Sequence, residues 1–267
     1  MTGMTTTPIV SIKPLTITTE HRDHDLRVRV TAPLTGDDLP VVVFVHGFGA
    51  NLDGYAPLTD HWAAHGFVVI QATHHDAPGD PAAWRLRVLD VRRILDELGS
   101  LAPRADRSRV VAAGHSFGGQ TAGVLVGLRV TDPVSGVAED LSDPRVMASI
   151  QLATAGAGGD HLTPFALEHA PWLREQDFSH MTRPGLVVAG DRDELPLSTR
   201  GPSWTTDPYT LRGGDRSLVV VPGGEHFLGG ISGYRVAETT DEDPERVALV
   251  QRVTLEFLRR VTGVKDR

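Results

Sequence analysis

The sequence predicts a three-layer α/β fold: a mostly parallel, eight-stranded sheet with helices on both faces. Three observations carry this expectation. Short apolar runs, suited to strands buried on both faces, recur along the chain. Segments of helical period separate them, and alternation of that kind builds a parallel sheet through right-handed crossovers. One run, Val110 to Ala113, breaks at once into Gly114-His115-Ser116-Phe117-Gly118, with a small-residue helical segment directly after it.

Taken in order, Ile9 to Thr19 and Leu26 to Ala32 alternate apolar and polar residues, with Arg27, Arg29 and Thr31 on one face. They are expected as antiparallel strands at the rim of the sheet. Val41 to Val45, bounded by Pro40 and His46-Gly47, is the first fully apolar run, and Phe67 to Ala72, Arg109 to Ala113, Val146 to Leu152, Leu186 to Ala189 and Ser217 to Val221 follow. A first helix shows Tyr55, Leu58 and Trp62 on one face. A second carries Trp84, Val88, Val91, Leu95 and Leu98, and is expected to open at Asp80-Pro81 and close at Gly99. The last begins at Asp243-Pro244 and carries Val247, Val250, Phe257, Leu258 and Val261. Ala153 to His180 departs from the alternation and reads either as a short cap over a site or as an ordinary crossover helix, Pro164 to Gln176. Arg200 to Gly214, interrupted around Trp204 and Tyr209, is expected to be irregular.

With 267 residues and 40% apolar content, one domain spanning residues 1–267 with at most a small cap is expected. The net charge of −8 and the scattered arginines leave no basic patch for nucleic acid. The chain has no cysteine, hence no thiol nucleophile, disulfide or Cys-based metal site. Met1 to Pro8 is Thr-rich, without a basic n-region or an apolar h-region, and no run approaches the roughly 18 apolar residues of a membrane span. A cytoplasmic location is therefore expected, with secretion open if a signal peptide has been removed. Oligomeric state is left open.

The Gly-X-Ser-X-Gly break is the stretch on which function turns. A strand reversing into a helix within a few residues forces its central residue into a strained conformation, and glycines on either side avoid collisions there. The Ser116 hydroxyl is thereby presented at the carboxyl end of the sheet, where open α/β sheets place their chemistry. A serine hydroxyl needs a base to activate it and an acid to orient that base. Gly190-Asp191-Arg192-Asp193 follows the Leu186 strand, and Asp193 is the expected orienter, with Asp191 and Glu194 as rivals. His226 follows the last strand through Pro222-Gly223-Gly224-Glu225 and is the expected base. The chain order Ser, Asp, His is thus complete.

These residues resemble the α/β-hydrolase superfamily over nearly the whole chain. The resemblance rests on His46-Gly47-Phe48-Gly49 after the third strand, Gly-His-Ser-Phe-Gly-Gly at the elbow, Gly-X-X-Asp at Gly190 to Asp193, and Glu225-His226-Phe227. Within the superfamily the elbow is similar to that of platelet-activating-factor acetylhydrolases, and the length to dienelactone-hydrolase-like, chlorophyllase-like and polyester-hydrolase-like esterases. The chain departs from the dienelactone hydrolases proper in lacking a cysteine nucleophile, and from secreted polyester hydrolases in lacking a disulfide. The resemblance implies a serine esterase acting on small-molecule carboxylic esters without a cofactor, the alternative being a ligand-binding receptor or a lyase on the same fold. By the logic of that fold, the backbone amides of Phe48 and Phe117 form the oxyanion hole. His46, Gly47, His74, His75, His115 and Phe227 are expected to line or brace the pocket. No metal is expected: neighbouring residues His74 and His75 point to opposite faces of an extended chain, so both are poorly placed to bind one ion.

Overall fold

Apolar runs buried on both faces need cover above and below, and the chain supplies it. The computed structural model describes residues 6–233 and 240–265, so the start of the Met1 to Pro8 stretch lies outside the described residues. In chain order the strands and helices are β1 (Ile9–Ile17), β2 (Leu26–Pro33), β3 (Leu39–Val45), α1 (Ala56–Ala64), β4 (Val68–Ala72), α2 (Ala83–Asp96), α3 (Leu98–Leu101), β5 (Ala105–His115), α4 (Phe117–Leu125), β6 (Arg129–Thr131), β7 (Ala138–Glu139), β8 (Val146–Leu152), α5 (Pro164–His169), β9 (Gln176–Asp177), β10 (Gly185–Gly190), α6 (Asp207–Thr210), β11 (Arg216–Val221) and α7 (Pro244–Thr262). The main sheet runs β1-β2-β4-β3-β5-β8-β10-β11. From β4 to β11 its strands pair in parallel, while β2 is antiparallel to both β1 and β4.

The pleat divides the core in two. Val41, Val43 and Val45 point to the face covered by α2 and α4, where Trp84, Val88, Val91 and Ile94 are buried. Val42 and Phe44 point to the other face, against Leu58 and Trp62 of α1 and Val250, Leu255 and Leu258 of α7. Each such side chain contributes about 1.5–3 kcal/mol through burial. The buried Trp62 also donates its indole N–H to Thr254 Oγ1 at 3.0 Å, fastening α1 to α7. The last helix starts where expected, with Asp243 capping it by accepting from the Glu245 and Arg246 amides, and Gly263 ends it in a left-handed conformation.

Several expectations need correction. β2 is not a rim strand, since β1 takes the edge. Arg29 and Thr31 are consequently buried rather than solvated, and Arg29 is satisfied by Ser11 Oγ at 2.7 Å and by Asp60 of α1 at 3.0 Å. The second helix opens at Ala83, not Asp80, whose carboxylate instead accepts from the Ala82 amide. It does not close at Gly99, because α3 adds a separate turn with Leu98 buried. Arg200 to Gly214 is more ordered than expected, with a 3-10 turn at Gly201–Thr206 followed by α6. The forked pairing of Arg200 with Asp207, whose carboxylate also takes the Ala157 amide at 2.9 Å, holds that stretch.

Between β8 and β10 the crossover helix Pro164 to Gln176 is not continuous. α5 stops at His169, and Pro171, which cannot supply the next amide, restarts the chain as a 3-10 turn through Leu173. β9 then pairs with β6 in a small sheet ordered β7-β6-β9. Its strands are only two or three residues long, too short for a periodic signal.

Candidate active site

Ser116 stands at the β5 to α4 junction with φ 54° and ψ −119°, a conformation that L residues seldom adopt. The flanking glycines are required by close backbone approach. A Cβ on Gly114 would lie 2.2 Å from the carbonyl of Gly118, and one on Gly118 would lie 2.0 Å from the carbonyl oxygen of Val45. The Ser116 amide donates to the Leu152 carbonyl at 2.8 Å, which pins the turn to the end of β8.

Three side chains from three loops meet here. His226 Nε2 lies 3.0 Å from Ser116 Oγ, and its Nδ1 lies 3.1 and 3.2 Å from the two oxygens of Asp193. A carboxylate only accepts, so the Nδ1 proton faces Asp193 and leaves Nε2 to accept from the Ser116 hydroxyl. Asp193 is buried, whereas its rivals Asp191 and Glu194 are not. Asp191 instead accepts from the Gly223 amide at 2.6 Å and so ties the β10 loop to the β11 loop. The loop bearing His226 is closed by Asp241, whose Oδ2 accepts from the amides of Glu225 at 2.7 Å and Gly229 at 2.9 Å.

The residues expected to line or brace the pocket take different places. His46, His74 and His115 are buried and brace the site from behind instead of lining it. The physical reason is that these imidazoles at strand ends face inward to satisfy buried polar groups. His46 Nδ1 bonds the Gly47 carbonyl at 2.7 Å and its Nε2 accepts the His74 amide at 3.0 Å. Burial, aided by Arg87 and His74, pushes the pKa of His46 well below the usual histidine value. His74 Nδ1 pairs with Asp90 at 2.8 Å. His115 bonds the His226 carbonyl through Nε2 at 2.7 Å and the Tyr55 hydroxyl through Nδ1 at 2.8 Å. Gly47 is also buried, its amide donating to Tyr55 Oη at 3.1 Å, and a Cβ there would come within 2.9 Å of that oxygen and of His115 Nδ1. His75 turns away from His74 to Asp80, 3.0 Å away. Phe227 does reach the site, stacking on His115 at 5.3 Å and meeting His226 edge-on at 5.6 Å.

Phe48 lies in the loop after β3, and Phe117 opens α4 directly after Ser116. The Phe48 side chain is 48% exposed, so it is not the core packing that an apolar residue beside a buried strand suggests. The Phe117 ring is buried, with Trp172 stacked at 4.8 Å and the Arg87 guanidinium 4.2 Å from its centroid. Neither backbone amide has a hydrogen-bond acceptor among the described residues. Asp76 follows His74 and His75 at a strand end, where residues bracing the site are expected, whereas sequence reasoning missed Tyr55, Arg87 and Trp172 as neighbours of this machinery. One signal was available: Arg87 lies in the apolar stripe of α2, between Trp84 and Val88, where a charged side chain must be buried with a partner.

An eight-stranded, mostly parallel sheet whose central strand ends in a strained serine elbow defines the α/β-hydrolase architecture. The model of the alpha/beta hydrolase family matches residues 42–252, and the chain belongs to that family. Chloroplastic chlorophyllase-1 from Citrus unshiu and from Citrus sinensis are each 28% identical over 218 residues, covering 70% of this chain. The match spans 65% of the length of those relatives. Among solved structures, a Pyrobaculum calidifontis esterase superposes with a TM-score of 0.65 at 19% identity, covering 96% of this chain and 86% of its own. A thermostable carboxylesterase cloned from a metagenomic library gives 0.61 at 21% identity, covering 94% and 90%. At these identities the structural likeness establishes the fold.

Proposed function

We propose that the chain is a serine esterase that cleaves carboxylic esters of small or medium acyl chains through an acyl-enzyme. The observation that carries this reading is the 3.0 Å contact between Ser116 Oγ and His226 Nε2, with Asp193 on the far side of the same ring. Ser116 attacks the ester carbonyl as His226 takes its proton. His226 then returns the proton to the leaving alcohol; a water that gives its proton to the same ring attacks the acyl carbonyl, the acid leaves, and the proton goes back to Ser116 Oγ, with Asp193 holding the ring in the tautomer that permits each step. The Phe48 and Phe117 amides receive the charge that develops on the carbonyl oxygen, each contributing on the order of 3 kcal/mol to the lowering of the barrier. The α4 dipole favours negative charge at the second of these amides. The relatives' own names, chlorophyllase and esterase, support ester chemistry here. The segment 153–180 acts as a short cap, its Trp172 lying against the residue that follows the nucleophile.

A p-nitrophenyl ester series from acetate to palmitate tests the reading. Hydrolysis should favour the shorter members and fall by at least about 10⁴-fold in Ser116→Ala. A fluorophosphonate should label the wild-type chain at Ser116 alone. Hydrolysis of none of these esters, or unaltered turnover in the alanine variant, overturns the proposal.

A further inference from the structure

Arg87 takes no part in the triad, yet its guanidinium reaches both segments assigned to the oxyanion. It is fully buried. Its Nη1 donates to the His46 carbonyl at 2.6 Å, while Nε at 3.0 Å and Nη2 both donate to Asp76 Oδ1. The other oxygen of Asp76 accepts from the Gly49 amide at 2.8 Å. The Arg87 and Asp76 pair therefore grips the loop at the carbonyl of His46 and the amide of Gly49, with the Phe48 amide lying between the two anchors. The same guanidinium lies over the Phe117 ring, on which Trp172 also stacks.

We infer that Arg87 and Asp76 are positioning residues for ester hydrolysis, fixing the Phe48 and Phe117 amides relative to one another so that both meet one developing oxyanion. The inference rests on the esterase reading above. The loop after β3 has no regular structure and exposes Phe48 and Gly49, so strand pairing does not hold it in place. Oxyanion stabilisation, in contrast, depends on donors placed in advance, and a displacement of about 1 Å can cost 10²-fold. Burying a guanidinium is a costly way to gain stability, since an apolar side chain of similar volume often serves as well or better. The planar fork explains the choice of arginine. A lysine ammonium is a point charge and cannot hold Asp76 through two nitrogens while a third reaches His46.

Arg87→Lys, Arg87→Met and Asp76→Asn, made in the full chain, test the inference on p-nitrophenyl butyrate. Asp76→Asn has nearly the shape of the parent and decides the matter if the Arg87 variants do not fold. Positioning predicts that kcat falls by on the order of 10²-fold in Arg87→Met, and about 10-fold or more in Asp76→Asn, with KM within about 2-fold and the midpoint of the pH profile unmoved. Arg87→Lys should not rescue kcat, and fluorophosphonate labelling should slow in parallel. Folded variants that keep wild-type kcat, or that raise KM with kcat unchanged, overturn the inference alone. A wild-type chain that cleaves no ester overturns the esterase reading and this inference with it.

Discussion

His115 Nε2 lies 2.7 Å from the carbonyl oxygen of His226. A carbonyl only accepts, so Nε2 carries the ring proton and Nδ1 must accept; the Tyr55 hydroxyl donates its own hydrogen to Nδ1 and in turn accepts from the Gly47 amide. A chain of fixed polarity thus runs from the loop holding His226 to the loop that carries Phe48, through buried side chains. Burial, reinforced by the neighbouring His226, keeps the pKa of His115 well below the usual histidine range and so preserves this polarity.

Removing the hydroxyl in Tyr55→Phe leaves two buried groups, the Gly47 amide and His115 Nδ1, without a partner. The expected cost is about 1–3 kcal/mol of stability. Urea unfolding at neutral pH measures it, and an unchanged midpoint would show that the chain of bonds contributes nothing.

Asp193→Asn should lower kcat by about 10⁴-fold, because an amide no longer fixes the productive tautomer of His226. Asp191→Asn should cost far less than that, since Asp191 serves the Gly223 amide from an exposed position. Equal losses in the two variants would contradict the assignment of the orienter.

Gly118→Ala brings a Cβ to 2.0 Å from the Val45 carbonyl oxygen. Backbone cannot step aside as a side-chain rotamer can, so the penalty should lie near the top of the usual overpacking range, about 3 kcal/mol. Thermal melting of the purified variant provides the check. A melting curve matching wild type would refute the tight strand-to-helix contact.

Acid should destabilise the fold well above the pH at which carboxylates titrate. Burial depresses the pKa of His46 and of His115, the first helped by Arg87 and the second by His226, and burial with neighbouring His65 lowers His61 to about 4. Below the unfolded value of about 6.5 the unfolded chain therefore binds more protons than the folded one, so stability is full above that pH and declines as pH falls. His46 and His115 each add a slope of up to about 1.4 kcal/mol per pH unit while they stay neutral in the folded chain. The melting temperature should be nearly level from about pH 8 to 7 and fall steadily between about 6.5 and 4. No change in melting between about pH 7 and 5 would speak against neutral buried histidines.

Much of this molecule could be read along the chain because its determinants are local. The central strands show themselves as apolar runs since both of their faces are buried, and the start of α7 is marked by Asp243-Pro244. Ser116 was legible because a strand that turns straight into a helix needs glycine at Gly114 and Gly118, a constraint written within five residues. The tertiary structure decided what depends on partners distant in sequence. Asp191 and Asp193 occupy one loop and carry the same chemistry, and only packing buries the second of them against a histidine 33 positions away. Tyr55 meets His115 across 60 positions, and Arg87 meets His46 across 41, because β3 and β5 pair as neighbours in the sheet with α2 laid over them. The same packing turned three strand-end histidines inward. Periodicity tells which face of an element is apolar, but a buried polar group is placed by the one unpaired partner it finds, and that partner is fixed only when the strands have chosen their order.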